Sequence, residues 1–171
     1  MDAMAITDHG VMFGCIDFYK ACKANDVKPI IGCEVYVAPG SRFDKVLDKS
    51  IKYNHLILLA KNMQGYRNLC KLVSSGFTDG YYYKPRIDKE ILEKYHDGLI
   101  CLSACLGGEV PGHFLNGQDE LAKNSALWFK NLFGEDYYLE VQANTMKEQY
   151  LVNQKLFKLS KEIGVPLVAT N

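Results

Sequence analysis

Hydrophobic and polar positions along the chain follow two alternating patterns. Six short runs of apolar and β-branched residues predict strands, and amphipathic segments with three- and four-residue spacing between most of them predict helices. The predicted strands are 1–6, 29–37, 55–60, 99–102, 137–141 and 167–170. This alternation is typical of a mainly parallel sheet with right-handed crossovers, so we predict an α/β protein. Six strands are fewer than the seven or eight that would close a barrel comfortably.

Capping residues mark several predicted helix ends. Asn62 and Asp88 precede apolar helical stripes and are predicted N-caps. Thr145 and Glu148 have the spacing of a capping box, which would begin the last helix. The segment 39–54 has no clean period and is predicted to be a surface loop.

Composition and charge narrow the class of protein. A chain of 171 residues with 48% hydrophobic residues supports one globular domain. Its 20 basic and 20 acidic residues cancel, which argues against strong nonspecific DNA binding by this chain alone. The six cysteines form no Cys-x-x-Cys pair, and most lie in apolar patterns, as expected of buried thiols in a reducing compartment. With no signal peptide and no long apolar run, we predict a cytoplasmic protein without membrane contact.

The chain begins and ends inside predicted strands. Residues 1–6 have the character of a buried strand without any lead-in, and residues 165–171 stop where a strand reaches its carboxyl end. A natural domain rarely begins and ends in this way, so we expect a fragment of a longer protein.

Ligand-type side chains follow or lie within several predicted strands. Asp8 and His9 end the first strand, and together they can bind a divalent cation or act as an acid–base pair. The alternative is that Asp8 caps the next helix and His9 is satisfied by hydrogen bonds. Glu34 lies in a β-rich run, where burial costs several kcal/mol unless the carboxylate is paired or bound to metal. A half-exposed edge position is the alternative for Glu34, and Cys105 follows a later strand.

His55 begins its strand rather than ending it. In a strictly parallel sheet it would therefore lie at the wrong edge, away from Glu34. Because the link 39–54 shows no helix period, a hairpin-like return would instead bring His55 beside the end of the Glu34 strand. Imidazole, carboxylate and thiolate together suit zinc or a similar first-row metal. A cluster of two or three such metals would imply phosphoester hydrolysis.

The segment 80–86 is predicted to be an aromatic and basic loop. Lys84 and Arg86 flank a proline there and are candidate contacts to phosphate or DNA. A solvated loop with its tyrosines packed on the core is the favoured alternative. His96 and His113 are assigned no role.

Several segments, taken together, carry a family resemblance: Thr7-Asp8-His9-Gly10, Phe18-Tyr19, Lys28 to Val37, His55-Leu56, Gly65 to Leu69, Tyr83 to Asp88, Leu102 to Glu109 and Val168 to Asn171. They resemble the polymerase and histidinol phosphatase (PHP) domain at the amino end of the alpha subunit of bacterial DNA polymerase III. The resemblance spans the whole chain, and this combination of motifs is highly specific.

The resemblance implies a distorted TIM-like (β/α)7 barrel of the PHP type, here with six strands because the first is missing. His9, Glu34, His55 and Cys105 fall on the ligand positions of the family, with Asp8 beside them. The implied cofactor is a divalent metal, zinc first, with manganese, iron or magnesium as alternatives. The family's upstream His-x-His motif and its Asp-x-His pair after Asn171 are absent. Residues 1–171 are thus expected to be a single PHP domain fragment with an incomplete site and no polymerase core.

Three functions remain open at this point. The first is metal-dependent 3′–5′ exonuclease or phosphoesterase activity within a parent DNA-directed DNA polymerase, a nucleotidyltransferase. The second is a structural or docking module without catalysis of its own, and the third is a free-standing PHP phosphatase. The partners implied are the rest of the polymerase alpha chain, a proofreading exonuclease subunit, and DNA through the parent protein.

Overall fold

A computed structural model describes residues 1–45 and 53–170, which divide into two compact units, Met1–Ile100 and Cys101–Asn171. Strands and helices alternate in both units, and this confirms the predicted α/β fold class. The first unit contains β1 (Ala3–Ile6), α1 (Cys15–Ala24), β2 (Lys28–Val37), β3 (Asn54–Ala60), α2 (Met63–Thr78), β4 (Arg86–Ile87) and α3 (Lys89–Lys94). Along β5 (Leu99–Leu102) the chain passes into the second unit, which continues with α4 (Glu109–Leu115), α5 (Asp119–Phe133), β6 (Tyr137–Gln142), α6 (Lys147–Ile163) and β7 (Leu167–Thr170).

The sheet of the first unit is mixed rather than parallel. β1 and β4 both run parallel to β2, whereas β3 returns antiparallel to it. The centre of this sheet is apolar, because Cys33, Leu56 and Leu58 are buried on β2 and β3. Burial raises the pKa of the Cys33 thiol to about 12, as expected for a cysteine packed among apolar side chains.

The second unit is a parallel sheet with helices packed on it. β6 pairs in parallel with both β5 and β7. Its core is built around Phe129 of α5, whose ring stacks on that of Tyr137 at 5.6 Å, and around Leu139 and Leu156, which are fully buried. These are the apolar faces that the helical and strand periods of the sequence predict.

All six predicted strands are present, with two corrections to the prediction. β1 was predicted to be buried, but Met4 is more than half exposed, because β1 pairs with β2 alone among the described residues. The segment predicted to be a loop also contributes β4, a seventh strand of two residues that β2 pairs through Tyr36 and Val37. Such a short strand has too few residues to show a period in the sequence.

Two of the three predicted caps are confirmed. Asn62 accepts a hydrogen bond from Gly65 N, and Asp88 accepts one from Ile91 N. The capping box at Thr145 is wrong: α6 has Met146 at its N-cap position, and that residue makes no side-chain cap hydrogen bond.

The turn before α6 explains the failed capping box. Asn144 Oδ1 accepts a hydrogen bond from Met146 N at 3.1 Å, which forms a local turn of the kind that asparagine favours. This turn places the helix start one residue beyond the position that the capping box requires.

No helix within residues 1–45 and 53–170 combines the length and the apolar character needed to cross a lipid bilayer.

Two helical glycines give opposite predictions for substitution by alanine. A Cβ on Gly65 would lie 1.8 Å from the carbonyl oxygen of Gly98, whereas a Cβ on Gly112 would have no neighbour closer than 3.9 Å. We expect Gly65→Ala to destabilise the fold by about 3 kcal/mol, because backbone cannot give way as a flexible side chain can. Gly112→Ala should raise the free energy of unfolding by about 0.5–1 kcal/mol, since alanine loses less entropy in a helix.

Urea unfolding followed by circular dichroism measures both effects. Equal midpoints for the two variants would contradict the close packing of α2 against Gly98.

Candidate metal centre

Backbone pairing between the end of β1 and the middle of β2 positions His9. His9 and Glu34 form a parallel bridge in which Glu34 N donates to Asp8 O at 3.0 Å and Gly10 N donates to Glu34 O at 2.9 Å. Gly10 has a φ of +70°, and a Cβ there would lie 2.8 Å from the ring of Tyr36. The turn that presents His9 therefore requires glycine as the next residue.

His55 reaches the same place through an antiparallel return. In the register of β2 and β3, His55 is opposite Tyr36 and Ile57 is opposite Glu34. Because alternate residues of a strand share a face, Glu34, Tyr36 and His55 lie on one face of the sheet. This confirms the hairpin-like return predicted from the irregular link 39–54, of which residues 46–52 lie outside the described part of the chain.

Two imidazoles and one carboxylate converge at this point. Glu34 Oε1 lies 3.2 Å from His9 Nε2 and 2.5 Å from His55 Nδ1. One ligand atom from each of the three residues lies within 4.8 Å of the other two. The side chain of Glu34 is 12% exposed and that of His55 is 23% exposed, whereas His9 is 64% exposed. The cluster is thus closed on its sheet side and open at His9.

The hydrogen-bonding state of Glu34 fits a bound cation. Glu34 Oε1 is buried and, despite its short distances to both imidazoles, accepts no hydrogen bond of acceptable geometry among the described residues. Burial of a carboxylate is costly unless its charge is compensated, and a cation bound by this oxygen and the ring nitrogens would compensate it. Two nitrogens and one oxygen form a donor set that suits Zn²⁺ and other first-row divalent ions.

Aromatic rings wall one side of the cluster. The ring of His55 stacks on Tyr53 at 5.9 Å and contacts the edge of Tyr36 at 5.4 Å. Such packing restricts the orientation of a ligating imidazole. Sequence reasoning missed both tyrosines, although Tyr36 stands two residues after Glu34 and so shares its face of the strand.

Asp8 lies beside His9 in sequence, but its carboxylate is directed towards α1. Asp8 Oδ2 lies 3.1 Å from the point that a Cβ on Gly14, the N-cap residue of α1, would occupy. Burial, and then the negative charge of Asp8, raises the pKa of the Cys15 thiol in the first turn of α1. The N-cap position of α1 is taken by Gly14, so the alternative of Asp8 as the N-cap residue is not realised. Asp8 remains a predicted ligand outside the three-residue group.

Cys105 belongs to the second unit, where it follows β5. The preceding Ala104 has a φ of +63°, and this turns the chain sharply at the strand end. Cys105 Sγ accepts a hydrogen bond from Gly107 N at 3.4 Å, and Cys105 O accepts one from Gly108 N at 2.8 Å. Its role as a metal ligand remains a prediction from the family resemblance.

The two basic residues of the aromatic loop have different surroundings. Lys84 is half-buried, with Nζ 5.4 Å from the centre of the Tyr36 ring. Arg86 is 3% exposed, and its guanidinium donates to the carbonyl oxygens of Gly80, Arg42 and Asp44. This placement favours a structural role for Arg86, and we retain only Lys84 as a candidate phosphate contact.

Comparison with known proteins defines the class. The chain matches the PHP domain family over residues 1–144, and it belongs to this family. Together with the alternating strands and helices, this match confirms the predicted fold class, α/β of the TIM-like PHP type.

Three relatives similar to this chain carry the name of a polymerase subunit. DNA polymerase III subunit alpha of Borreliella burgdorferi is 54% identical over 172 residues, which cover 100% of this chain and 15% of the relative. The protein of that name from Treponema pallidum is 49% identical, with 99% of this chain and 15% of the relative covered. The one from Thermus aquaticus is 46% identical, with 99% of this chain and 14% of the relative covered. The chain thus spans about 15% of the length of the curated relatives it matches.

Proposed function

We propose that this chain is the metal-binding PHP domain of a cytoplasmic DNA polymerase III alpha chain, a replicative DNA-directed DNA polymerase, and that it serves metal-dependent phosphoester hydrolysis at DNA 3′ ends. The observation that carries this proposal is the buried Glu34 Oε1, which has two imidazole nitrogens within 3.2 Å and no hydrogen-bond partner among the described residues. The partners proposed are the rest of the alpha chain, a proofreading exonuclease subunit, and DNA. Cys105 is proposed as a further ligand.

The residues of the cluster have separable roles in this proposal. Glu34, His9 and His55 hold the cation, and zinc is the first candidate because two of the three donors are imidazoles. When bound, such an ion would polarise a phosphoryl oxygen and would activate water as a nucleophile near neutral pH. The exposure of His9 leaves room for a substrate on that side. Lys84 Nζ, held over Tyr36, adds a positive charge that attracts the substrate phosphate.

A structural role is the second candidate, and the position of the ligands favours it. His9 follows β1, Glu34 lies on β2 and His55 lies on β3, so one ion would cross-link three strands. A free-standing phosphatase has less support, since the relatives matched over the whole chain carry the name of a polymerase subunit.

The test compares metal content and hydrolysis in matched histidine variants. We expect the purified chain to retain a divalent ion after dialysis, and His9→Ala to weaken that binding at least about 100-fold, because a direct ligand matters more than an outer-shell group. His113→Ala is the control: it removes an imidazole of the second unit that contacts Gln118. Mass spectrometry of the metal content measures the effect, and an equal loss in both variants would contradict the site.

Hydrolysis separates the two candidate functions. The polymerase chain that carries this domain should trim a labelled oligonucleotide from its 3′ end in a metal-dependent way, and His9→Ala should abolish that trimming. If His9→Ala lowers the melting temperature while no trimming is seen in the parent, the structural function stands instead.

A further inference from the structure

The residues Gly80–Arg86, here termed the tyrosine loop, form a narrow turn with a fixed backbone. Tyr82 N donates to Lys84 O at 3.1 Å, and Arg86 N donates to Gly80 O at 3.4 Å. A Cβ on Gly80 would lie 1.8 Å from Arg86 O, so the two arms of the loop are in close backbone contact. These contacts hold the loop in one conformation.

A buried cation anchors the tyrosine loop to the first unit. The guanidinium of Arg86 donates to Gly80 O within the loop, and it also donates to Arg42 O at 3.2 Å and to Asp44 O at 2.7 Å. It also lies over the ring of Tyr82, 5.2 Å from the ring centre. The loop is thus anchored at its base by the guanidinium of Arg86.

Two tyrosine rings are presented to solvent at that tip. Tyr83 is 69% exposed and Tyr81 is 52% exposed. Tyr83 also has a φ of +59°, a left-handed conformation that is unfavourable for a bulky residue. The fold therefore retains a strained backbone to expose an aromatic ring, and such strain is concentrated at binding sites.

The tyrosine loop adjoins the candidate metal centre. Lys84 Nζ lies over the ring of Tyr36, and the same ring contacts His55 at 5.4 Å. Pro85 Cγ lies 3.0 Å from the point that a Cβ on Gly10 would occupy, next to His9 in the chain. The ammonium group of Lys84 and the ring of Pro85, which follow Tyr83 directly in the loop, therefore lie next to residues that adjoin the candidate metal centre.

We infer that the tyrosine loop binds single-stranded DNA, with bases stacked on Tyr83 and Tyr81 and a backbone phosphate on Lys84. Proteins that bind single strands combine a positive charge for the backbone with aromatic rings for the bases. The inference deepens the proposed function, on which it rests: the stacked strand leads its 3′ end to the metal-binding residues. The substrate would therefore be an unpaired strand, since bases stacked within a duplex leave no free face for a tyrosine ring.

The test measures binding of a fluorescently labelled oligothymidylate to the purified chain by anisotropy, at one fixed low salt concentration. We expect Tyr83→Ala to weaken binding about tenfold or more, the scale on which loss of one stacked base acts. Tyr83→Gly should weaken it equally while it relieves the left-handed backbone, which excludes misfolding as the cause. Tyr83→Trp should restore binding. Tyr150→Ala is the matched control, because Tyr150 of α6 is 64% exposed in the second unit.

An abasic oligonucleotide of the same length and charge should bind the wild type at least as weakly as the normal strand binds Tyr83→Ala, because it loses stacking on both Tyr83 and Tyr81. Unchanged affinity in the Tyr83 variants, equal losses in Tyr83→Ala and Tyr150→Ala, or full binding of the abasic strand would overturn the inference. The first of these results is also the one expected if the rings instead dock a protein. Metal content, measured on the same samples, should be unchanged in all Tyr83 variants. Absence of metal from the wild type would therefore count against the metal centre, independently of the binding result.

Discussion

Replacement of Glu34 by glutamine should abolish the stabilisation that divalent metal gives to the fold. At a metal concentration 100 times the dissociation constant, the wild type should gain about 2.7 kcal/mol in free energy of unfolding. Glu34→Gln should gain close to nothing, because it removes the negative charge of the oxygen that lies nearest to both imidazoles. Urea unfolding with and without zinc measures the difference.

The behaviour of Glu34→Gln without metal distinguishes a metal ligand from a structural residue. Glutamine has nearly the same size, and it avoids the cost of a buried charge, so the metal-free variant should be at least as stable as the wild type. Glu135→Gln, an exposed carboxylate of the second unit, should respond to metal as the wild type does. A metal-induced gain that survives in Glu34→Gln would remove Glu34 from the ligand set.

The sequence predicts the parts of this site that depend on the alternation of residues along a strand and on the position where a strand ends. His9 follows a strand and Glu34 lies within one, and both features are visible as local patterns of polar residues. The position of His55 depends on the direction in which β3 returns, and the sequence indicates that direction only through the lack of a helix period in the link before it. The structure resolves this point through the antiparallel register of β2 and β3.

The tyrosine loop shows where sequence reasoning fails. Lys84 and Arg86 are equivalent as basic residues beside a proline, yet Lys84 is half-buried and Arg86 is fully buried. The difference arises from the carbonyl oxygens of Arg42 and Asp44, more than 40 positions away in the chain. No local period encodes contacts of that kind, and none encodes the left-handed backbone of Tyr83.

Replacement of Asp88 by alanine should cause a large loss of stability, about 3–5 kcal/mol. Asp88 is 2% exposed, and its carboxylate accepts hydrogen bonds from Arg42 N at 2.8 Å, from Arg42 Nη1 at 3.0 Å and from Ile91 N at 3.0 Å. Alanine removes the cap of α3 and leaves the buried guanidinium of Arg42 without its main partner. Asp88→Asn should lose less, since an amide oxygen still caps the helix.

The control for Asp88 is Asp79, a more exposed carboxylate near the same guanidinium group of Arg42. Asp79 lies 3.8 Å from Arg42 Nε and its side chain is 37% exposed, so Asp79→Ala should cost no more than about 1 kcal/mol. Because Arg42 O accepts a hydrogen bond from Arg86, Asp88→Ala should also loosen the tyrosine loop and weaken oligonucleotide binding at temperatures where the chain is still folded. Equal unfolding midpoints for Asp88→Ala and Asp79→Ala would mean that the buried pair does not anchor this part of the fold.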